Sequence, residues 1–375
     1  VKVGVESIPL VDLSIQHRAI AAEIEPQLAR VMETGAFIDG ADVQAFEDEF
    51  AAYCGVEHCI SVANGTDAIE LALRAGNIVA GDAVVVPANT FVATAEAVVR
   101  IGAVPVLIDV DPRFLLMDPE RLATVIDDTG ARAVVAVHLY GQMAPMHDIA
   151  RVARSRGCLL IEDAAQSQGA AQDGDGMGAW GDLAATSFYP GKNLGAYGDG
   201  GAVLSRSAEL ARTVRLLRNH GSEVRYRHEI VGWNSRLDTM QAVVLRAKLR
   251  RLDEWNDERR AAADRYAELL RDADRVALPA TAPANSHVWH LYVVQVPERD
   301  RVLAELQAEG IGVGVHYPVP VHLQPAYSSL GKRAGAFPVA ERASESILSL
   351  PIYPGISEAQ QERVVERLLA VLPQR

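Results

Sequence analysis

Between about residues 58 and 205, short apolar runs alternate with stretches in which apolar positions recur every three or four residues. The runs at 58–63, 83–87, 105–110, 133–139, 159–162, 185–189 and 201–205 have the length of strands and carry apolar residues at successive as well as alternate positions. A strand that is apolar on both faces must be covered on both. The alternation therefore predicts an α/β fold, with a mostly parallel sheet between helices, and places its ligands at the carboxyl ends of the strands.

Beyond the sheet the period changes. Residues 237–270 read as one long Arg- and Glu-rich helix, with Asp238 as its N-cap, suited to linking two domains. After a loop at 280–285, a strand is expected at 289–296, a helix at 301–309 closed by Gly310, and a second strand at 311–315. Pro318, Pro320 and Pro325 make the following stretch a loop. This order predicts a large domain over residues 1–252 and a small α+β domain over 253–375.

Charge and composition narrow the partners. A net charge of −13 argues against nucleic acid and against an anionic membrane surface, so any anionic ligand must meet locally placed cations. No apolar run approaches the roughly 20 residues that cross a bilayer, and residues 1–10 lack a basic-then-apolar signal pattern, which gives a cytoplasmic expectation. Cys54, Cys59 and Cys158 are dispersed, without zinc or disulfide spacing, and read as small buried thiols in a reducing compartment.

Lysine is scarce. Lys2, Lys192, Lys248 and Lys332 are the only ones among 36 basic residues, so this chain uses Arg where charge alone suffices. Schiff-base chemistry cannot use Arg, because a guanidinium stays protonated whereas a lysine amine can lose its proton and attack a carbonyl. Lys192 follows the strand at 185–189 in the loop Pro190-Gly191-Lys192-Asn193-Leu194-Gly195; Lys2 is terminal, Lys248 lies on the charged helix and Lys332 on a polar loop. The strand at 159–162 runs into Glu162-Asp163. Alternation sends the two acids to opposite faces, leaving Asp163 for the ligand crevice and Glu162 for a structural role. An Asp at that place suits pyridoxal 5'-phosphate (PLP), whose ring is an electron sink only while its nitrogen is protonated. At Asn64-Gly65-Thr66-Asp67 a strand turns into a helix over 68–74, whose N-terminus suits a phosphate. The glycine runs at 174–178 and 198–201 do not join a strand to a helix in dinucleotide register and read as turns.

Six motifs in order carry a family resemblance: NGTDA at 64–68, PANTFVATAEAV at 87–98, IEDAAQSQGA at 161–170, SFYPGKNLGAYGDGG at 187–201, GWNSRLDTMQA at 232–242 and HYPVPVHLQPAY at 316–327. From about residue 8 to its end the chain resembles the DegT/DnrJ/StrS sugar aminotransferases. The resemblance implies a fold-type-I aminotransferase homodimer with active sites at the subunit interface. It implies that Lys192 is the Schiff-base lysine, that Asp163 partners the pyridinium, and that Thr66, Asp67 and Ser187 hold the phosphate beside Gly65. Asn234 would reach that phosphate from the neighbouring subunit, Phe91 would stack on the ring, and Gln166 would lie near its substituents. Tyr189, His316 and Tyr317 match positions lining a sugar site, and Arg225, Tyr226 and His228 would meet the diphosphate and supply its local cations; His220 and His322 are open between substrate and structure.

The implied substrates are a nucleotide-linked, usually dTDP-activated, keto-deoxysugar and glutamate, with pyridoxamine 5'-phosphate as the intermediate cofactor form. The motifs at 232–242 and 316–327 look more like enzymes that aminate C3 of a 3-keto-6-deoxyhexose than like C4 enzymes. A dehydratase branch of the family carries His at the lysine position, which Lys192 argues against. A regulatory protein on the same fold would be expected to have lost Lys192 or Asp163. A nicotinamide enzyme would need a glycine fingerprint that this chain lacks.

Overall fold

The computed structural model describes residues 7–373, so Lys2 lies outside the described residues. All seven expected strands are present: β1 (His58–Val62), β2 (Ala83–Pro87), β3 (Val104–Ile108), β4 (Ala133–Val137), β5 (Leu159–Asp163), β6 (Leu183–Ser187) and β7 (Gly201–Ser205). They form one sheet in the order β1-β7-β6-β5-β4-β2-β3. Only β7 runs antiparallel to its neighbours, pairing Val203 with Ile60 on one side and with Ala185 on the other. The carboxyl ends of β1, β2, β4, β5 and β6 therefore open on one edge.

Side-chain alternation sorts the two faces. Ile60, Val62, Val135, Ile161 and Ala185 pack under α3 (Gly65–Ala75), α4 (Val92–Arg100) and α7 (Ala208–Arg218). On the opposite face Val85, Val134 and Leu160 meet α5 (Pro119–Thr129) and α6 (Met146–Ser155). Ala184, Ala202 and Leu204 meet α2 (Ala41–Cys54) there. Phe188, between Ser187 and Tyr189, is held edge-on against Phe46 and Phe50 of α2 at centroid distances of 5.3 and 5.4 Å. Each such buried ring contributes about 1.5–3 kcal/mol, which fixes the end of β6.

A second core gathers the C-terminal part. Ala263 and Tyr266 pack with Tyr292 and Val294 of a strand at Tyr292–Gln295, with Leu348 and Leu350 of its antiparallel partner Ile347–Leu350, and with Val364 and Leu368 of the last helix, Glu358–Val371. Ile8 joins this core from the other end of the chain.

Four expectations change. The helix expected over 237–270 is two helices, α8 (Thr239–Leu249) and α9 (Leu252–Leu269), and Asp238 stands at the N-cap without a side-chain capping bond. The break at Arg250 and Arg251 comes where the apolar stripe changes partners: Ala242 and Leu245 face the large-domain core, Ala263 and Tyr266 the second core. The strand expected at 289–296 begins only at Tyr292, because Trp289 has φ of +45°. Residues 311–315 make isolated bridges, Ile311 to Ile8 and Gly314 to Ser349, while the ladder forms with Ile347–Leu350. Lys248, on the charged helix, is 1% exposed and donates to the Gly195 carbonyl at 2.7 Å.

The end of β5 separates its two acids as alternation requires. Glu162 turns to the α6 side, where Oε1 accepts from the amides of Trp180 (3.0 Å) and Gly181 (2.7 Å), and Oε2 from the amide of Gly178 (3.1 Å) and His138 Nε2 (2.9 Å). The Ala144 amide points at His138 Nδ1 (3.0 Å), so the imidazole proton is on Nε2. Burial alone would raise the Glu162 pKa, but these donors overturn that and hold it below 4.5. The stabilisation is therefore full above the ordinary carboxylate range and is lost as pH falls through the depressed value. Glu162→Gln, which turns an NH2 against two donors, is expected to cost about 3 kcal/mol at pH 7. The deficit should shrink as pH falls below about 4.5, as urea denaturation at each pH will report.

Candidate active site

The strand ends enclose a cleft of about 780 Å³ whose wall includes Gly65, Thr66, Phe91, Asp163, Gln166, Ser187, Tyr189, Lys192, His316 and Tyr317. Ten positions singled out from sequence thus share one cavity. Asp163 forms its floor at 5% exposure. Its Oδ2 accepts from Thr94 Oγ1 at 2.7 Å and its Oδ1 from the Ala165 amide at 3.2 Å. Because the Thr94 proton goes to Asp163, Thr90, 2.8 Å from Thr94, is the donor to Thr94. Burial raises the Asp163 pKa, with Thr94 and Ala165 opposing.

Lys192 lies in a tight loop in which its amide donates to the Tyr189 carbonyl at 2.8 Å, and a side chain at Gly195 would run into the Pro190 carbonyl. Burial holds its amine down to about 8 from an ordinary value of 10.5, while the charge of Asp163 pulls the other way. A lysine near 8 has an appreciable neutral fraction at physiological pH, which a nucleophile or base requires.

The phosphate end is built from α3 and β6. Asn64 caps α3, its side chain accepting the Asp67 amide at 2.8 Å and its carbonyl the Ala68 amide. The earlier amides, Gly65 and Thr66, remain the first-turn donors that a helix cannot pair internally. Ser187 accepts the Tyr189 amide at 3.2 Å, so its own hydroxyl proton is left to donate. Asp67 contributes differently from what the resemblance suggests: its amide is taken, and its carboxylate accepts from Ser235 (2.8 Å) and pairs with Arg100 (3.3 Å). It orders cup residues rather than offering a donor to an anion.

On the opposite wall Gln166 accepts the Tyr140 amide at 2.7 Å and donates to the Tyr317 hydroxyl at 3.0 Å. Phe91 and Tyr317 lie with ring centroids 5.3 Å apart. The Tyr140 hydroxyl donates to the His316 carbonyl, and His316 Nδ1 lies 2.8 Å from Ser349 Oγ. Burial, then the charge of Lys192, lowers the His316 pKa to about 4.

Other expected residues lie elsewhere. Asn234 is exposed and accepts from Arg236 at 2.9 Å. Arg225, Tyr226 and His228 sit on or beside an exposed hairpin, Ser222–Val224 and Arg227–His228, with the Arg225 guanidinium over the Tyr226 ring. His220 adjoins that hairpin, its carbonyl accepting from His228. His322, left open above, is buried, 2.9 Å from Glu341 and edge-on to Phe337, which favours the structural one of its two readings. Sequence reasoning missed Thr94, Tyr140, Arg100 and His290. Thr90 and Thr94, two hydroxyls one helical turn apart, were a usable signal for the first; the others are brought in from distant segments.

The cradle fits the implied cofactor. Donors for a phosphate lie at one end, a buried carboxylate for a ring nitrogen lies on the floor, and an amine that can be neutral lies on the loop between them. Comparison agrees. The model of the DegT/DnrJ/EryC1/StrS aminotransferase family matches residues 18–369. The chain is 44% identical over 359 residues to a dTDP-3-amino-3,4,6-trideoxy-alpha-D-glucose transaminase of Streptomyces venezuelae, covering 96% of this chain and 94% of that one. It is 43% identical over 364 residues to a pleiotropic regulatory protein of Geobacillus stearothermophilus, covering 96% of this chain and 98% of that one. Among solved structures, S. venezuelae DesV in complex with a ketimine intermediate superposes with a TM-score of 0.94 at 43% identity, covering 97% of this chain and 98% of that one.

The cup depends on close approach of α3 to β6. A Cβ at Gly65 would stand 2.6 Å from Ser187 Cβ. Gly65→Ala is expected to weaken retention of a phosphate-bearing cofactor about tenfold, the scale of one helix-terminus contact to an anion. Equilibrium dialysis of the variant against PLP will read this; an unchanged dissociation constant would place the phosphate elsewhere.

Proposed function

Because the chain belongs to the DegT/DnrJ/EryC1/StrS aminotransferase family, we propose that it is a PLP-dependent enzyme that moves an amino group from glutamate to C3 of a nucleotide-linked 3-keto-6-deoxyhexose, dTDP being the preferred carrier. The observation that carries this reading is the depressed Lys192 amine facing the buried Asp163 carboxylate across a phosphate-binding cleft. That arrangement also argues against a purely regulatory protein.

PLP supplies the electron sink. Asp163, oriented by Thr94 and Ala165, keeps a proton on the ring nitrogen. The Gly65 and Thr66 amides and the Ser187 hydroxyl would hold the phosphate, and Phe91 would pack against the ring. Gln166, itself held by Tyr140 and Tyr317, orients the ring substituents. Lys192 Nζ holds the cofactor between turnovers, takes the α-proton from the amino donor, and delivers a proton in the second half of the reaction. Tyr189, His316 and Tyr317 line the place for the sugar.

Asn234, Arg225, Tyr226 and His228 do not line this cleft, and in this reading they serve the equivalent one in a second copy, reaching its phosphate and the diphosphate of its sugar. The working unit is then a homodimer with shared sites. Exposed apolar side chains near the cleft and hairpin support it: Phe37, Ile38, Tyr189 and Val231. We place the enzyme in the cytoplasm, in keeping with buried free Cys59 and Cys158; among the described residues no helix is long and apolar enough to cross a membrane.

Purified protein should show the visible absorption band of the lysine-bound cofactor, and Lys192→Ala should abolish it; a retained band overturns the assignment. Offered 3-keto and 4-keto dTDP-6-deoxyglucose separately, it should aminate the first, with the new C–N bond located at C3 by NMR. Reaction with the 4-keto sugar alone would move the activity to C4. For the shared site, mixed Lys192→Ala and Asn234→Ala subunits should regain activity, since each heterodimer holds one intact cleft, and no gain at any ratio would count against sharing.

A further inference from the structure

Asn193 and His290 belong to no role described so far. Asn193 adjoins Lys192 and is 1% exposed. Its Nδ2 donates to the Val288 carbonyl at 2.9 Å and to Asn256 Oδ1 at 2.8 Å. Asn256 Nδ2 in turn donates to the Gln168 carbonyl at 3.0 Å. Backbone carbonyls only accept, so Val288 and Gln168 fix which end of each amide is nitrogen. Asn193 Oδ1 is then an acceptor, and it stands 3.2 Å from His290 Nδ1. Nδ1 must carry the imidazole proton, which leaves a lone pair on Nε2.

His290 lines the same cleft as Lys192. Burial first, and then the charges of Lys192, Arg259 and His316, hold its pKa well below 6.5, so the ring stays neutral. A neutral acceptor answers a need of this site. With a cofactor ring nitrogen on Asp163, the released lysine amine no longer has that carboxylate as a partner. Another carboxylate would raise its pKa and trap it as ammonium, whereas an imidazole lone pair gives direction without adding charge.

We propose that His290 is a positioning residue for the Lys192 amine: with Nδ1–H held by Asn193, it offers the Nε2 lone pair to Nζ whenever the lysine is not covalently engaged, and so keeps the base aimed at the reacting carbon. The inference rests on Lys192 being the cofactor lysine. Its failure is separable from failure of that reading, which the visible band of Lys192→Ala reports by itself.

Two substitutions divide the histidine into its two nitrogens. His290→Asn keeps a donor for Asn193 and removes the acceptor at the ε position; His290→Gln restores an oxygen near it. In His290→Asn, kcat should fall about tenfold with KM within about twofold, the signature of a misaimed base rather than of lost binding. His290→Gln should return kcat to within about threefold of wild type. Competitive acetylation of Lys192 across pH, with the protein in its pyridoxamine form, should show the midpoint lowered in His290→Asn and recovered in His290→Gln, since losing an acceptor disfavours the ammonium. A merely structural histidine would move neither midpoint. Nitrogen-15 NMR of histidine-labelled wild-type protein provides a measurement that needs no variant, and His290 should show a protonated Nδ1 and a bare Nε2. A proton on Nε2, an unshifted Lys192 midpoint in His290→Asn, or a Gln variant as slow as Asn would each overturn the proposal.

Discussion

The site depends on where β5 stops. Adjacent Glu162 and Asp163 are both buried, and two carboxylates so placed would repel each other and lose hydration at the same time. The pleat resolves the conflict by sending them to opposite faces. Glu162 receives four donors and becomes the bracket that binds the loops after β4 and before β6 to the strand. Asp163 receives two donors and keeps lone pairs free toward the cleft. The same burial that makes Glu162 a structural anchor makes Asp163 chemically available, and the difference lies in the number of donors that each face supplies.

The lysine loop is restrained on the other side of the cleft by comparable means. Lys248 reaches from α8 to the Gly195 carbonyl, and Asn193 reaches to α9 and to the segment that precedes the second core. Lys192 is therefore flexible only in its side chain. This suits the role proposed for Lys192, which alternates between holding a cofactor and moving a proton: a swinging amine on a restrained backbone. Lys248, with no carboxylate bonded to it, shows that the scarcity of lysine does not make each one catalytic. Its burial lowers its pKa to about 8, as for Lys192, and only the surroundings tell the two apart.

Much of this could be read from sequence because it is local. A strand apolar on both faces declares itself, as do a capped helix start at Asn64 and a lysine between glycines. Asp163 was legible because the pleat is a two-residue rule. What could not be read is set by partners far along the chain. The division of residues 237–270 into two helices follows from two cores competing for one apolar stripe. The strand Ile347–Leu350 follows a helix with no glycine or proline between them, and its partner lies more than fifty residues earlier. Lys248 points inward because α8, TMQAVVLRAKL, is mostly apolar and buried, and the polar stretch that suggested a charged helix belongs to α9. His322 stayed open because its motif could serve either role, and only the fold shows Glu341 and Phe337 enclosing it.

An acidic protein that binds anionic ligands must bring its cations to the ligand by geometry. Around the cleft of a single chain that supply is thin: Arg100 is paired with Asp67 and Glu70, Lys192 is the lysine proposed to hold the cofactor, and His290 and His316 are held neutral. Cationic groups suited to a diphosphate, Arg225 among them, stand on an exposed hairpin outside that cleft. One chain thus carries a cofactor site without the charge its substrate needs, and an exposed hairpin carries the charge without a site. In the homodimer proposed above, pairing two copies would join each hairpin to the other's cleft. Substrate binding would then depend on assembly, while most of the cofactor's contacts would come from the single fold.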